Sequence, residues 1–223
     1  MTGDKEIEYN VVPAFPSPVI QVLVEEDTSE LLEHDEYTVS HEQKGDYDKP
    51  VSCQRVLEKY PRSKEILLNK YISIAEEVLG YKKRNYAITT SWFTLSNKGE
   101  GSQSHNHKNS FWSCVYYYQE EYPEGTGEIL FDNPNTEKFD FFFSSQDITE
   151  PNILNLLQLR IPPQPNLLLI FPSYLHHQIL KHNSDMLRSS LAFNIVPLGH
   201  WGDGDSFYNQ SWVTPKLGAW KSL

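Results

Sequence analysis

The stretch Gln103-Ser-His-Asn-His-Lys-Asn-Ser-Phe-Trp-Ser-Cys-Val-Tyr-Tyr-Tyr118 decides how the rest of the chain is read. It sets two histidines, His105 and His107, one residue apart and runs straight into an aromatic, β-branched segment. In an extended chain alternate side chains share a face, and positions i and i+2 lie about 6.5–7 Å apart. Two imidazoles so placed can tilt toward one ion at about 2.0–2.2 Å, and imidazole suits zinc, iron, nickel and copper. Alone, such a pair is more often ordinary polarity on a strand than a metal site. A third donor comes from Phe171-Pro-Ser-Tyr-Leu-His-His-Gln-Ile179, which supplies His176 and His177. Arg188 then opens the next strand-like run.

Composition narrows the class. A chain of 223 residues fits one domain, 1–223, long enough to bury a core without staples. Lys and Arg number 19 against 30 Asp and Glu, so the net charge of −11 repels phosphate backbones and disfavours nucleic acid as a partner. No apolar run approaches the ~20 residues of a membrane-spanning helix, and the polar start from Met1 has no signal-peptide core. The only cysteines, Cys53 and Cys114, mark no disulfide framework. A reduced, cytoplasmic protein is the expectation, with Cys114 a buried free thiol. Its 14 Pro, 13 Tyr and 11 Phe, with few helical patterns, point to a β-rich domain.

The N-terminal third, 1–85, reads as an edge strand, a loop and helices. Val19–Val24 follows Pro13, Pro16 and Pro18, which suits a sheet edge. Asp27 to Pro50 is charged and turn-rich, with a short helix around Leu31 and Leu32; Val51 to Tyr60 predicts another. The clearest helix is Ser63–Leu79, where Leu67, Tyr71, Ile74 and Val78 make one apolar stripe, Ser63 serves as N-cap and Gly80 as C-terminal cap. From Tyr86 the period changes to that of strands: Tyr86–Leu95, Phe111–Tyr118, Gly127–Phe131, Phe139–Phe143, Leu156–Ile161, Leu167–Phe171, His177–Leu180 and Arg188–Val196. No helical pattern separates the later strands, which argues against a parallel α/β sheet. The expected architecture is mainly β, a double-stranded β-helix (jelly roll) over 86–197 with a buttressing N-terminal helix. Residues 198–223 form an aromatic tail with Trp201, Trp212 and Trp220.

Several pieces, in this order, resemble the iron(II)/2-oxoglutarate-dependent oxygenases of the double-stranded β-helix superfamily, in particular a branch related to prolyl-4-hydroxylases. They are Ser91-Trp92, His105-Asn106-His107, Asn109-Ser110-Phe111-Trp112-Ser113 leading into Val115-Tyr116-Tyr117, and Ile129-Leu130-Phe131-Asp132-Asn133-Pro134. Leu169-Ile170-Phe171-Pro172-Ser173, His177-Gln178-Ile179 and Arg188-Ser189-Ser190-Leu191-Ala192-Phe193-Asn194 follow. The likeness covers about Tyr86 to Pro197, with a weaker echo at Phe15-Pro16-Ser17-Pro18. It implies Fe(II) and 2-oxoglutarate as cofactors, an oxygenase that hydroxylates an unidentified substrate, and release of succinate and CO2.

The resemblance also implies roles. Its metal set maps to His105, His107 and His177, although most of the superfamily carries a carboxylate where His107 stands. Two alternatives follow: three imidazoles bind the iron, or Asp132 or a water completes a different set. The pattern places the distal ligand two residues before Ile179, which selects His177 over His176. Arg188 maps to the arginine that binds the far carboxylate of 2-oxoglutarate, and a guanidinium fork suits that task. By alternation Ser190 and Asn194 share the face of Arg188, and Tyr117, or its neighbours Tyr116 and Tyr118, is placed to reach the cosubstrate. The loop Ser96–Ser104 and the tail are placed as lids by analogy. His182 reads as solvated in its Lys-His-Asn-Ser-Asp turn, and His34, His41 and His200 are given no role. Two rivals share the architecture. A cupin-like metalloprotein expects a glutamate where Asn109 to Trp112 stand; a non-catalytic jelly-roll binding or structural protein does not require a buried arginine.

Overall fold

Pro61 opens α1 (Pro61–Glu77), the long α-helix of the described residues, because its fixed φ suits the first helical position and its missing N–H is not needed there. The computed structural model describes residues 16–34, 38–39, 54–135, 145–152 and 154–210. The expected strand Phe139–Phe143, most of the charged loop before Pro50, Pro13, Phe15, His41, Trp212 and Trp220 lie outside the described residues. The helix begins two residues before the expected cap: Tyr60 is the N-cap, and Ser63 instead donates its backbone N–H to Glu30 Oε1 at 2.7 Å. A carboxylate from a short 3-10 helix (Ser29–Glu33) thus sits at the positive end of α1. The buried stripe is Ser63, Leu67, Tyr71 and Ala75. Val78 falls outside it because the helix has ended, and Gly80 turns the chain at φ +67°. The expected helix before Pro61 is one turn of 3-10 helix, Val56–Lys59.

The described chain forms eleven strands, two before α1 and nine after it: β1 (Ile20–Leu23), β2 (Thr38–Val39), β3 (Tyr86–Ser96), β4 (Trp112–Tyr116), β5 (Ile129–Asp132), β6 (Gln158–Ile161), β7 (Leu167–Pro172), β8 (His177–Ile179), β9 (Arg188–Pro197), β10 (His200–Trp201) and β11 (Tyr208–Asn209). A six-stranded sheet runs β1-β7-β4-β9-β3-β2, with β1, which follows Pro16 and Pro18, at one edge. A smaller sheet runs β6-β5-β8, and β10 pairs with β11. All these pairings are antiparallel except β2 with β3. This is the mainly β jelly roll expected from the strand pattern.

Both faces of the large sheet bury apolar side chains, because both are covered. On one face Trp112, Cys114, Tyr116, Leu168, Ile170, Leu191, Phe193 and Ile195 pack with Leu67, Tyr71 and Ala75 of α1. On the other, Val115, Tyr117, Leu167, Leu169 and Phe171 meet Ile129, Phe131 and Ile161 of the small sheet. Cys114 is a buried free thiol, and burial raises its pKa. Burying each large apolar side chain contributes roughly 1.5–3 kcal/mol. β3 pairs with β9 over its whole length, but the register shifts between Ile88 and Thr90. That bulge lets Tyr86, Ile88 and then Phe93 all join the helix-side core. It also sets Thr90 and Thr94 beside Asn194 and Ser190 on the inner face.

Candidate functional site

His105 and His107 lie in the connection between β3 and β4, not in a regular strand, and His177 is the first residue of β8. The backbone nonetheless holds that connection extended. His105 and His177 exchange both N–H···O bonds, at 3.0 and 2.9 Å, and His107 N–H donates to Ser173 O at 2.9 Å. The side chains converge as alternation requires: ring centroids are 4.5 Å apart for His105 and His177, 5.2 Å for His107 and His177, and 5.3 Å for His105 and His107. One ring nitrogen from each lies within 4.8 Å of the others.

Each ring is also fixed in its tautomer. His105 Nδ1 meets Gln103 O at 2.9 Å, His177 Nδ1 meets Leu175 O at 3.0 Å, and His107 Nδ1 meets Asn194 Oδ1 at 2.7 Å. These oxygens only accept, so all three Nδ1 atoms carry a proton, which in a neutral ring leaves the lone pair on Nε2. His177 is buried, and burial pushes its pKa down to about 3, with nearby His105 and His107 acting the same way. Three neutral imidazoles presenting Nε2 are the donor set a divalent transition metal takes.

Asn194 was expected on the cosubstrate. Its carboxamide oxygen instead accepts from His107 and from Ser113 Oγ (2.8 Å), and its nitrogen donates to Thr90 Oγ1 at 2.9 Å. Ser113 Oγ also lies 2.9 Å from His107 Nδ1 and 2.8 Å from Ser173 Oγ. Sequence alternation marks Ser113 as inward, beside Val115 and Tyr117, but not its partner. The bulge in β3 hides Thr90 from any alternation argument, and with it Trp92, whose ring centre is 5.6 Å from that of His107.

Arg188 is among the largest fully buried side chains, at 1 % exposure. Its Nε donates to Gly127 O at 2.9 Å and its Nη1 to Ser190 Oγ at 3.3 Å; Ser190 Oγ is also 2.7 Å from Thr94 Oγ1. The guanidinium carbon stands 5.5 Å from the Tyr117 ring centre. Among the described residues, buried Arg188 Nη2 and Tyr117 Oη have no hydrogen-bond partner of normal geometry, although the two groups lie close enough for Arg188 to lower the Tyr117 pKa. Burial raises the Tyr117 pKa, against the pull of the Arg188 charge, so the phenol is protonated. Two orphaned donors in one buried spot, one of them charged, call for an anionic acceptor.

The other histidines are placed as follows. His176 is exposed, with Nε2 3.1 Å from Asn106 Nδ2. Asp132 does not join the triad: its carboxylate accepts from Ser104 Oγ and Gln158 Nε2. His182 corrects the sequence reading. It is wholly buried, between Gly127 N–H and Met186 O, because the turn that carries it folds inward against β5. His34 stacks on Phe93 and hydrogen-bonds to Tyr118 Oη.

A family model described as "Putative 2OG-Fe(II) oxygenase" matches residues 90–194, just under half of the chain. Over those residues the chain is similar to that family. The family span starts at Thr90 and ends at Asn194, the pair that meets behind His107. Among solved structures, the epimerase SnoN from nogalamycin biosynthesis, in complex with Fe3+, α-ketoglutarate and nogalamycin RO, is 11% identical over 81% of this chain and 79% of its own, with a TM-score of 0.55. A 2OG-Fe(II) oxygenase family oxidoreductase from Burkholderia pseudomallei is 10% identical over 57% of this chain, with a TM-score of 0.38. A prolyl-4-hydroxylase from Pseudomonas putida is 14% identical over 60%, with a TM-score of 0.39. The chain spans 55% and 63% of the length of those last two. No curated protein matches the chain in sequence. Among the described residues, no helix is long and apolar enough to cross a membrane.

Proposed function

We propose that this oxygenase domain binds Fe(II) through Nε2 of His105, His107 and His177, and 2-oxoglutarate through Arg188, Ser190 and Tyr117, to hydroxylate an unidentified small-molecule substrate. One observation carries the reading: three tautomer-fixed imidazoles face one point, and the same inner face holds a buried guanidinium with an unmatched nitrogen. Together, iron and 2-oxoglutarate supply an oxidation in which O2 gives one atom to a substrate C–H bond and one to succinate, with loss of CO2.

The chain's own residues orient and shield. Arg188 and Tyr117 offer a charged and a neutral donor to the far carboxylate, and Ser190 sets the angle of the fork. With a neutral His107 in place of a carboxylate, the metal site is one unit more positive, which favours an anionic chelator. The apolar walls of Val115, Leu169, Phe171 and Phe131 keep water away and strengthen these contacts. Asn194 and Ser113 hold His107 in the tautomer that presents Nε2. Asn194→Ala is therefore expected to lower Fe(II) affinity by about 10–100-fold while leaving the fold unchanged, as loss of an outer hydrogen-bond partner does at other metal sites. Anaerobic Fe(II) titration of the two proteins, with circular dichroism as the fold check, measures this.

The test of the whole reading is direct. Purified full chain loaded with Fe(II) is expected to bind 2-oxoglutarate without oxygen, giving a visible charge-transfer band. On admission of air it should release succinate, slowly even without substrate. A protein that binds Fe(II) yet shows neither the band nor succinate above a metal-free control would end the proposal.

A further inference from the structure

We infer that His182, which is not one of the three clustered histidines, is a positioning residue for Arg188, acting through the backbone of Gly127. The inference rests on the reading of Arg188 as the cosubstrate's carboxylate partner. Gly127 is buried, and its peptide groups are used on both sides. Its N–H donates to His182 Nδ1 at 3.2 Å, and its C=O accepts from Arg188 Nε at 2.9 Å. The other ring nitrogen, His182 Nε2, donates to Met186 O at 2.6 Å, two residues before Arg188. The imidazole therefore holds the amide of Gly127, the residue whose carbonyl accepts from the guanidinium, and also the turn that delivers Arg188.

The clamp leaves little freedom. The His182 backbone is held at both ends, its N–H on Glu100 O at 2.8 Å and its C=O accepting from Gly99 N–H. A Cβ on Gly127 would meet Leu180 O at 2.5 Å, so the strand lies too close for any other residue. Among the described residues the guanidinium hydrogen-bonds to Gly127 O and Ser190 Oγ, and Nη2 is the nitrogen left for a ligand. If the Gly127 backbone shifts, Nε loses its acceptor and the direction of Nη2 is no longer set. His182 does not touch the cosubstrate; its role is to fix the angle at which Arg188 presents a donor.

The chemistry of the ring gives a test that a purely structural histidine would not pass. Asparagine can place an acceptor near the Nδ1 position, and glutamine a donor near the Nε2 position. His182→Asn keeps the bond to Gly127, whereas His182→Gln keeps only the bond to Met186. The probe is 2-oxoglutarate itself, titrated calorimetrically into the full chain loaded with Mn(II), which avoids turnover. His182→Gln is expected to weaken its binding about tenfold, the worth of one buried hydrogen bond, and His182→Asn to stay within about threefold of the parent protein. Mn(II) affinity should be unchanged in both.

In the parent protein, long-range proton–nitrogen spectra should show His182 protonated at Nε2 and bare at Nδ1, a readout that needs no variant to fold. A proton on Nδ1, or equal 2-oxoglutarate affinities for the two variants, would overturn the positioning role. Absence of 2-oxoglutarate binding in the parent protein would instead strike at the proposed function on which it rests.

Discussion

His177→Ala is expected to lose Fe(II) affinity by at least about 100-fold, the upper end of what removing a mere outer partner costs, and to lose succinate formation with it. His176→Ala should keep both. The two histidines are adjacent in sequence but opposite in setting. His177 is buried, held by Leu175 O through Nδ1, and grouped with His105 and His107. His176 is exposed and reaches Asn106. Alternation at the start of β8 sends them to different sides. The substitution has a second consequence of opposite sign. Crowding a buried His177 against two half-buried imidazoles, all within 4.8 Å and without a metal, is no source of stability, so the metal-free variant should melt close to the parent. The stabilisation that Fe(II) gives the parent should vanish in it. Anaerobic metal titration and thermal melts with and without Fe(II) check both. Iron loss on substituting His176, with His177→Ala unaffected, would show that the register of β8 had been misread.

What the sequence made legible was set by local chemistry. The His-x-His pair, the later histidine and Arg188 stand out because few other side chains make such contacts, and their order reads without coordinates. The jelly roll was legible because strand-period segments succeed one another without helices between them. Three features were not. The shift between Ile88 and Thr90 in β3 changes which residues face inward, and nothing in Ala-Ile-Thr-Thr-Ser announces a bulge. Its result, the Thr90–Asn194–His107 relay, turned Asn194 from an expected cosubstrate contact into a support for an imidazole. His182 sits in a polar turn that composition assigns to solvent; only the tertiary packing of that turn against Gly127 buries it. The start of α1 was misplaced because Ser63 has the chemistry of a cap, while Pro61 needs none and the acid at the helix start comes from Glu30. In each case a long-range partner overrode a local preference.

Arg188→Met gives the other large effect, and its sign for stability separates a ligand-binding arginine from a structural one. Loss of one partner of a buried, hydrogen-bonded charge pair costs about 2–5 kcal/mol. At tenfold per about 1.4 kcal/mol, that is roughly 30- to several-thousand-fold in affinity for 2-oxoglutarate. Succinate formation at ordinary cosubstrate levels should fall accordingly, while Fe(II) affinity holds, because Arg188 belongs to none of the imidazole hydrogen bonds. A structural arginine would be missed by the empty protein. Arg188 should not be: with Nη2 unmatched and 1 % exposure, its charge is desolvated at a cost that only an anion offsets. Methionine of similar length removes that cost, leaving Gly127 O and Ser190 Oγ to be satisfied elsewhere. The ligand-free variant is therefore expected to melt at or above the parent, and the rise in melting temperature that 2-oxoglutarate gives the parent should disappear. Arg188→Lys keeps the charge but not the fork, so its affinity should fall between the two. A variant that unfolds without ligand yet keeps its 2-oxoglutarate-dependent rise would mean that the guanidinium serves the fold, and that the carboxylate is held by something else.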